Sequence, residues 1–93
     1  LKEFWHVGQE DVTGDLAKLY PKNIWPTESQ LVQFRHYVLE IYRALEKVAD
    51  SLLEAAALYL QLDQRHFADM AVNGNSVLRI IHYPPVPADA DPN

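Results

Sequence analysis

Alternating residue types between positions 76 and 85 predict a β-strand that runs into two consecutive prolines. Side chains on a strand point to opposite faces in turn. The two faces of this strand are then formed by Leu78, Ile80 and His82 on one side and by Arg79, Ile81 and Tyr83 on the other. A face that joins Arg79 and Tyr83 to one aliphatic residue suits a cavity that binds an anionic small molecule. The alternative is that Arg79 pairs with a carboxylate elsewhere and that Tyr83 only packs.

Apolar residues that recur in steps of three and four predict one long α-helix over residues 28–61, which contain neither Gly nor Pro. At 1.5 Å per residue such a helix would be roughly 50 Å long. Thr27 is expected to cap its N-terminus, and Gln30 stands at the reciprocal position of a capping box. The apolar seam of this helix consists of Leu31, Phe34, Val38, Ile41, Leu45, Val48, Leu52, Ala55 and Tyr59.

The end of this helix, residues 52–60, is apolar on nearly every side, with Glu54 as the one charged residue. A helix of this kind is normally buried on several sides. Few other elements of the chain are available to cover it. We therefore expect the remainder of a larger protein chain to pack against it.

The segments on either side of the long helix predict shorter elements. Residues 1–7 form either a short strand or the end of a preceding helix, and residues 8–26 form irregular chain with a helical turn near 16–19. Trp25 is expected to fill the core where this chain meets the helix. Asp63 can cap a second, short helix from residue 64 to about residue 70. A turn at residues 73–75 precedes the strand, and an acidic tail, 88–93, ends the chain.

Composition limits the class of protein. The chain has 93 residues, of which 48% are hydrophobic, so it is one small domain or part of a larger one rather than a disordered tail. A net charge of −5 argues against nucleic acid as a general partner. The absence of cysteine excludes disulfides and thiolate chemistry. The longest apolar run is shorter than the ~20 residues of a membrane span, so a cytoplasmic protein is the default expectation. A first residue other than Met suggests a chain cut from a longer one.

Candidate metal ligands are sparse. Asp63, His66 and Asp69 step by three along one helix face and could touch a cation, although a solvated surface is the commoner arrangement. His6 is expected to make a structural hydrogen bond. Tyr37, Tyr42 and Tyr59 are expected at the edge of the core.

Four segments together carry a family pattern: residues 2–8 (KEFWHVG), 23–26 (NIWP), 55–67 and 78–85 (LRIIHYPP). In order and spacing they resemble the N-terminal part of the isopenicillin N synthase-like family of non-haem Fe(II), 2-oxoglutarate-dependent oxygenases. The resemblance implies a parent fold that is a double-stranded β-helix, or jelly roll, with backing helices that include a very long one.

On this resemblance the chain is a mainly α fragment, with one long helix, one short helix and a terminal β-strand. It forms a partial domain: residues 1–26 are a strand and loop segment, 27–72 the helical scaffold, 76–85 the first part of the jelly-roll core, and 86–93 a loop.

The resemblance also implies chemistry. Family members hold Fe(II) with a His-x-Asp…His triad and couple decarboxylation of 2-oxoglutarate to oxidation of a small-molecule substrate by O2. None of the four histidines lies in a His-x-Asp pattern, so the iron ligands are expected beyond Asn93. Tyr83 matches the family tyrosine before proline, which often reaches the carboxylate of the co-substrate. Two residues earlier, where plant members often have Asn, this chain has Ile81, and Arg79 could compensate from the same face.

Two questions about function stay open. Isopenicillin N synthase itself does not use 2-oxoglutarate, so co-substrate use does not follow from the resemblance alone. The alternative function is a helical protein–protein interaction module without catalytic activity, which would bind a partner helix through the seam between residues 31 and 59.

Overall fold

The computed structural model describes residues 2–87. In chain order its elements are strand β1 (Glu3–Gly8), a 3-10 helix (Gly14–Lys18), helix α1 (Phe34–Tyr59), helix α2 (His66–Ala71) and strand β2 (Val77–His82). The predicted long helix, short helix and terminal strand are confirmed. The acidic tail at 88–93, and with it most of the predicted loop 86–93, lies outside the described residues.

The two strands form an antiparallel pair that joins the ends of the described chain. Glu3 lies opposite His82, and Gly8 lies opposite Val77. Of the two alternatives for residues 1–7, the strand is therefore correct. Strand β2 is shorter than the predicted 76–85: its pairing ends at His82, and the two prolines that follow have no N–H to donate.

One face of the sheet packs against α1. Val7 is fully buried, and Val38 and Tyr42 of α1 are each 5% exposed. The Tyr42 hydroxyl donates to the Ser76 carbonyl over 3.0 Å, which ties the helix to the chain just before β2. Half-buried side chains surround this centre, namely Trp5, Trp25, Phe34, Leu39 and Leu78. The predicted place of Trp25 is thus confirmed.

The helix begins later than predicted. The Gln30 side chain does accept the N–H of Thr27 (2.9 Å), as a capping box requires, but only one turn follows. Gln33 has a left-handed backbone (φ 55°), and the Glu28 carboxylate accepts its N–H over 3.0 Å. This local side-chain bond competes with helical hydrogen bonding. Helix α1 therefore starts at Phe34, and its 26 residues extend about 39 Å.

The predicted seam of α1 is only partly covered within the described chain. Its members Phe34 and Val38 pack against the sheet, but Ile41, Leu45, Val48 and Leu52 are 53–66% exposed. Beyond Val38 the contact with the sheet passes to Tyr42, which lies outside the predicted seam. At the end of the helix, Tyr59 is 87% exposed, so this apolar end lacks cover among residues 2–87, as expected. Within the same residues, no helix has both the length and the apolar character needed to cross a membrane.

An arginine on the connection between the helices fixes α2 against α1. The Arg65 guanidinium bonds to Asp50 (3.0 Å) and Glu54 (2.6 Å) of α1 and to Asp69 (3.2 Å) of α2. Its backbone N–H donates to the Asp63 carboxylate over 2.9 Å. The predicted capping role of Asp63 is therefore wrong in position: Asp63 caps the turn before α2, which begins at His66 rather than at residue 64 and has Arg65 as its N-cap residue.

Candidate functional site

The face of the sheet that points away from α1 holds the candidate site. The strand register places His6 opposite Arg79 and Phe4 opposite Ile81, whereas Val7 and Leu78 share the buried face. The alternation predicted for β2 is therefore confirmed. We call the surface formed by Phe4, His6, Arg79 and Ile81 the open face, because all four residues are exposed among residues 2–87.

Arg79 is held by two side chains of β1. Its Nε donates to Nε2 of His6 over 2.6 Å. Its Cζ lies 5.4 Å from the centre of the Phe4 ring, within the range of a cation–π contact. The Phe4 and His6 rings are themselves 4.8 Å apart, tilted by 32°. The expectation that His6 makes a structural hydrogen bond is confirmed.

The charge of Arg79 has no carboxylate partner among residues 2–87. The other three arginines all do: Arg35 pairs with Glu10 (2.8 Å), Arg43 with Asp11 (3.2 Å), and Arg65 with three acidic residues. Within the described residues, the Arg79 guanidinium is therefore available to bind an anion on the open face, although the chain as a whole has a net charge of −5. The alternative of a structural ion pair for Arg79 finds no support within the described residues.

Tyr83 directly follows the last residue of β2 and is 67% exposed. Continued alternation of the chain would bring its side chain to the side of Arg79 and Ile81. Its contact with a co-substrate carboxylate stays a prediction.

A cleft of about 480 Å³ adjoins the open face. Phe4, His6 and Val77 line it from the sheet, and Lys22 and Asn23 line it from the irregular chain after the 3-10 helix. Its volume is in the range of small-molecule sites. Neither Lys22 nor the cleft was predicted from the sequence. The signal that could have indicated the cleft is the 23–26 segment of the family pattern, which starts at Asn23.

A cluster of hydrogen bonds around one carboxylate, that of Glu10, fixes the chain behind this cleft. Glu10 accepts hydrogen bonds from Trp25 Nε1 (2.9 Å), Asn23 Nδ2 (3.2 Å) and Arg35 (2.8 Å). Burial alone would raise the pKa of Glu10, but these donors and the charge of Arg35 outweigh it and hold the pKa below its usual value. The cluster joins the irregular chain to the start of α1.

The described residues do not form an iron site. Among residues 2–87 no three His, Cys, Asp or Glu side chains come together as metal ligands. In the predicted candidate set, Asp63 and Asp69 both bond to Arg65 instead. His82 lies 3.1 Å from the Glu3 carboxylate across the sheet. Any iron of the parent protein would need ligands outside these residues.

Known proteins show the class of protein to which this chain is related. It is 36% identical over 86 residues to the proline hydroxylase buaE of Petromyces alliaceus, covering 92% of this chain and 25% of that protein. It is 33% identical over 70 residues to the 2-oxoglutarate-Fe(II) type oxidoreductase hxnY of Emericella nidulans, covering 74% of this chain and 20% of that protein.

A solved structure gives the same result. A protein assigned to the 2OG-Fe(II) oxygenase family, from Caulobacter crescentus, matches with a TM-score of 0.85 and 41% identity over 97% of this chain and 29% of that chain. No protein-family model matches. The chain is thus similar to part of the 2-oxoglutarate-Fe(II) oxygenases, which confirms the resemblance found in its four segments. It spans 25% and 20% of the length of the two curated relatives described above.

Proposed function

We propose that the protein carrying this chain is a non-haem Fe(II), 2-oxoglutarate-dependent oxygenase that couples decarboxylation of 2-oxoglutarate to oxidation of a small-molecule substrate by O2. The observation that best supports this proposal is the match to an oxygenase-family structure, which covers 97% of the chain with a TM-score of 0.85 and 41% identity. The curated relatives, named as a hydroxylase and an oxidoreductase, support the same class. We further propose a cytoplasmic enzyme that needs neither membrane nor nucleic acid.

Within a jelly-roll parent fold, we propose that residues 27–72 are the backing scaffold and 76–85 the first part of the core, while 1–26 supply the paired strand and a loop. The exposed seam and apolar end of α1 then pack against the remainder of the same protein.

The open face is proposed to form one wall of the co-substrate pocket, with Tyr83 and Arg79 as the residues that bind 2-oxoglutarate. A guanidinium and a phenol are donors suited to a carboxylate, and Arg79 has no acidic partner among residues 2–87. Bound Fe(II) would supply the activation of O2. The described residues contribute position and charge to the pocket and no iron ligand.

The interaction-module alternative is less well supported. The exposed residues Ile41, Leu45, Val48 and Leu52 would give such a module an apolar face. The named relatives, however, are oxygenases, and their similarity extends over the whole length of this helix rather than over a binding surface alone.

The test is production of succinate. The protein carrying this chain is incubated with Fe(II), 2-oxoglutarate and air, with L-proline as the first substrate probe because one relative is named a proline hydroxylase. We expect succinate that depends on Fe(II) and on O2, since uncoupled turnover also yields it. If succinate is absent and calorimetry detects no binding of 2-oxoglutarate, the proposal is wrong.

A further inference from the structure

The best-defined feature of the open face is how Arg79 is held. Cross-strand neighbours in an antiparallel pair have Cβ atoms about 5 Å apart. The register places His6 at this position opposite Arg79, so the contact between the two is built into the sheet. An exposed arginine normally loses considerable rotamer freedom when it is fixed. Here the His6 nitrogen and the Phe4 ring fix it before any ligand arrives.

These contacts leave the binding end of the side chain available. The bond to His6 uses Nε, at the base of the guanidinium. Among residues 2–87 neither terminal nitrogen has a hydrogen-bond partner, in contrast to the guanidinium groups of Arg35 and Arg65. A planar guanidinium fork is suited to a carboxylate, which it can bind through two parallel bonds.

We propose that His6 and Phe4 are positioning residues that present Arg79 as the receptor for the carboxylate of a small-molecule ligand. Phe4 and His6 also line the cleft beside the open face, whereas Arg79 lies next to that cleft and not in its lining. His6 must accept a hydrogen bond at Nε2, so it acts as a neutral ring with its proton on Nδ1. Preorganisation of this kind reduces the entropy lost on binding and raises affinity.

Two sources of the carboxylate are compatible with the geometry: the distal carboxylate of 2-oxoglutarate and a carboxylate of the primary substrate. This part of the inference rests on the proposed function. The experiment therefore uses two pairs of ligands that differ in one carboxylate. 2-Oxovalerate lacks the distal carboxylate of 2-oxoglutarate, and L-prolinamide has an amide in place of the carboxylate of L-proline.

The variants are Arg79→Gln, which removes the fork, and Arg79→Lys, which keeps the charge without the fork. His6→Phe keeps a ring beside Phe4 but removes the acceptor, and Phe4→Leu removes the aromatic face. Lys47→Gln is the matched control, because it removes one exposed positive charge on α1, away from the open face. Thermal unfolding of each variant checks that it is folded.

Dissociation constants are measured without O2 on Fe(II)-loaded protein, by calorimetry. For one of the two pairs we expect Arg79→Gln to reduce the preference for the carboxylate ligand by about tenfold or more. His6→Phe and Phe4→Leu should reduce this preference by a smaller factor, and Lys47→Gln should leave it unchanged. In separate turnover assays with O2, His6→Phe and Phe4→Leu should raise KM with kcat retained. The pair that responds identifies the source of the carboxylate.

The proposal is overturned if Arg79→Gln leaves both preferences unchanged, or if Arg79→Gln reduces one while His6→Phe and Phe4→Leu have no effect. The second result would show an arginine that needs no positioning residues. Failure of the proposed function is a separate result: the wild-type protein would then form no succinate and would not bind 2-oxoglutarate.

Discussion

The side-chain amide of Asn23 pairs with the backbone of Gly8 in the manner of a neighbouring strand. Asn23 Oδ1 accepts the Gly8 N–H over 2.7 Å, and Asn23 Nδ2 donates to the Gly8 carbonyl over 2.8 Å. Both polar groups of a residue at the end of β1 are thereby satisfied. The pair fixes the irregular chain against the sheet and so shapes the cleft beside the open face.

Replacing Asn23 with Ala should lower the free energy of unfolding by about 1–3 kcal/mol, because both backbone groups of Gly8 lose their partner in a partly buried position. Urea unfolding of the protein measures this. Asn75→Ala is the control: Asn75 is exposed, and its substitution should change stability by less than about 0.5 kcal/mol. Equal effects of the two substitutions would contradict the structural role of the pair.

Tyr42→Phe should cost about 1 kcal/mol, because the Ser76 carbonyl loses its donor while the ring stays packed. Burial, with a smaller contribution from Glu46, raises the pKa of Tyr42 to about 12. Below pH 10 this hydroxyl is protonated in both folded and unfolded protein. Between pH 10 and 12 only the unfolded state releases the proton, so the stabilising contribution is lost as the pH rises.

Chemical unfolding at pH 8 and pH 11 therefore separates the variants. The stability difference between wild type and Tyr42→Phe should shrink at the higher pH. Tyr37→Phe is the control, since Tyr37 is 55% exposed. A difference that stays constant with pH would show that Tyr42 titrates normally.

Glu10→Gln should destabilise the protein by about 1 kcal/mol at pH 7, because Arg35 loses its charged partner in a setting only partly shielded from water. The lowered pKa of Glu10 means that its contribution is present above the unfolded-state value and is lost as the pH falls through the folded-state value. The stabilities of wild type and variant should therefore begin to approach each other as the pH falls below the ordinary glutamate value of about 4.3. Urea unfolding between pH 3 and 7 measures this, and a gap that persists at low pH would exclude the carboxylate as its cause.

Leu45→Ala tests whether the parent fold covers the exposed seam of α1. Among residues 2–87 the Leu45 side chain is 53% exposed. We expect a loss of about 2–5 kcal/mol in the whole protein, because the proposed fold buries this side chain. Glu40→Ala, also on α1 and exposed, is the control. A loss below about 0.5 kcal/mol, typical of an exposed position, would mean that the seam stays uncovered.

Tyr83→Phe should raise the KM for 2-oxoglutarate several-fold with little change in kcat, because it removes only the hydroxyl that we propose to contact the co-substrate. Steady-state formation of succinate at varied 2-oxoglutarate provides the measurement. Tyr37→Phe serves again as the control. Unchanged kinetics would assign Tyr83 to packing alone.

The features that were predictable from sequence are those decided by neighbours along the chain. The alternation of Leu78 and Arg79 follows from strand geometry, and the bond between Thr27 and Gln30 depends on a spacing of three residues. The predicted start of α1 was wrong because the Glu28 carboxylate accepts the Gln33 N–H, and the periodicity of apolar residues gives no information about such a local bond. The predicted seam of α1 contained Val38 but not Tyr42, and nothing local indicated that Tyr42 would be buried as well.

The sequence by itself determined the long helix, the two faces of β2 and the resemblance to the oxygenases, since each depends on residue types and their spacing along the chain. Tertiary structure alone decided which residues of α1 meet the sheet and how β1 and β2 align. It also decided the contact between His6 and Arg79, which are 73 positions apart in the chain. Such contacts depend on where distant segments meet, and that is fixed by the burial of Val7, Val38 and Tyr42 together.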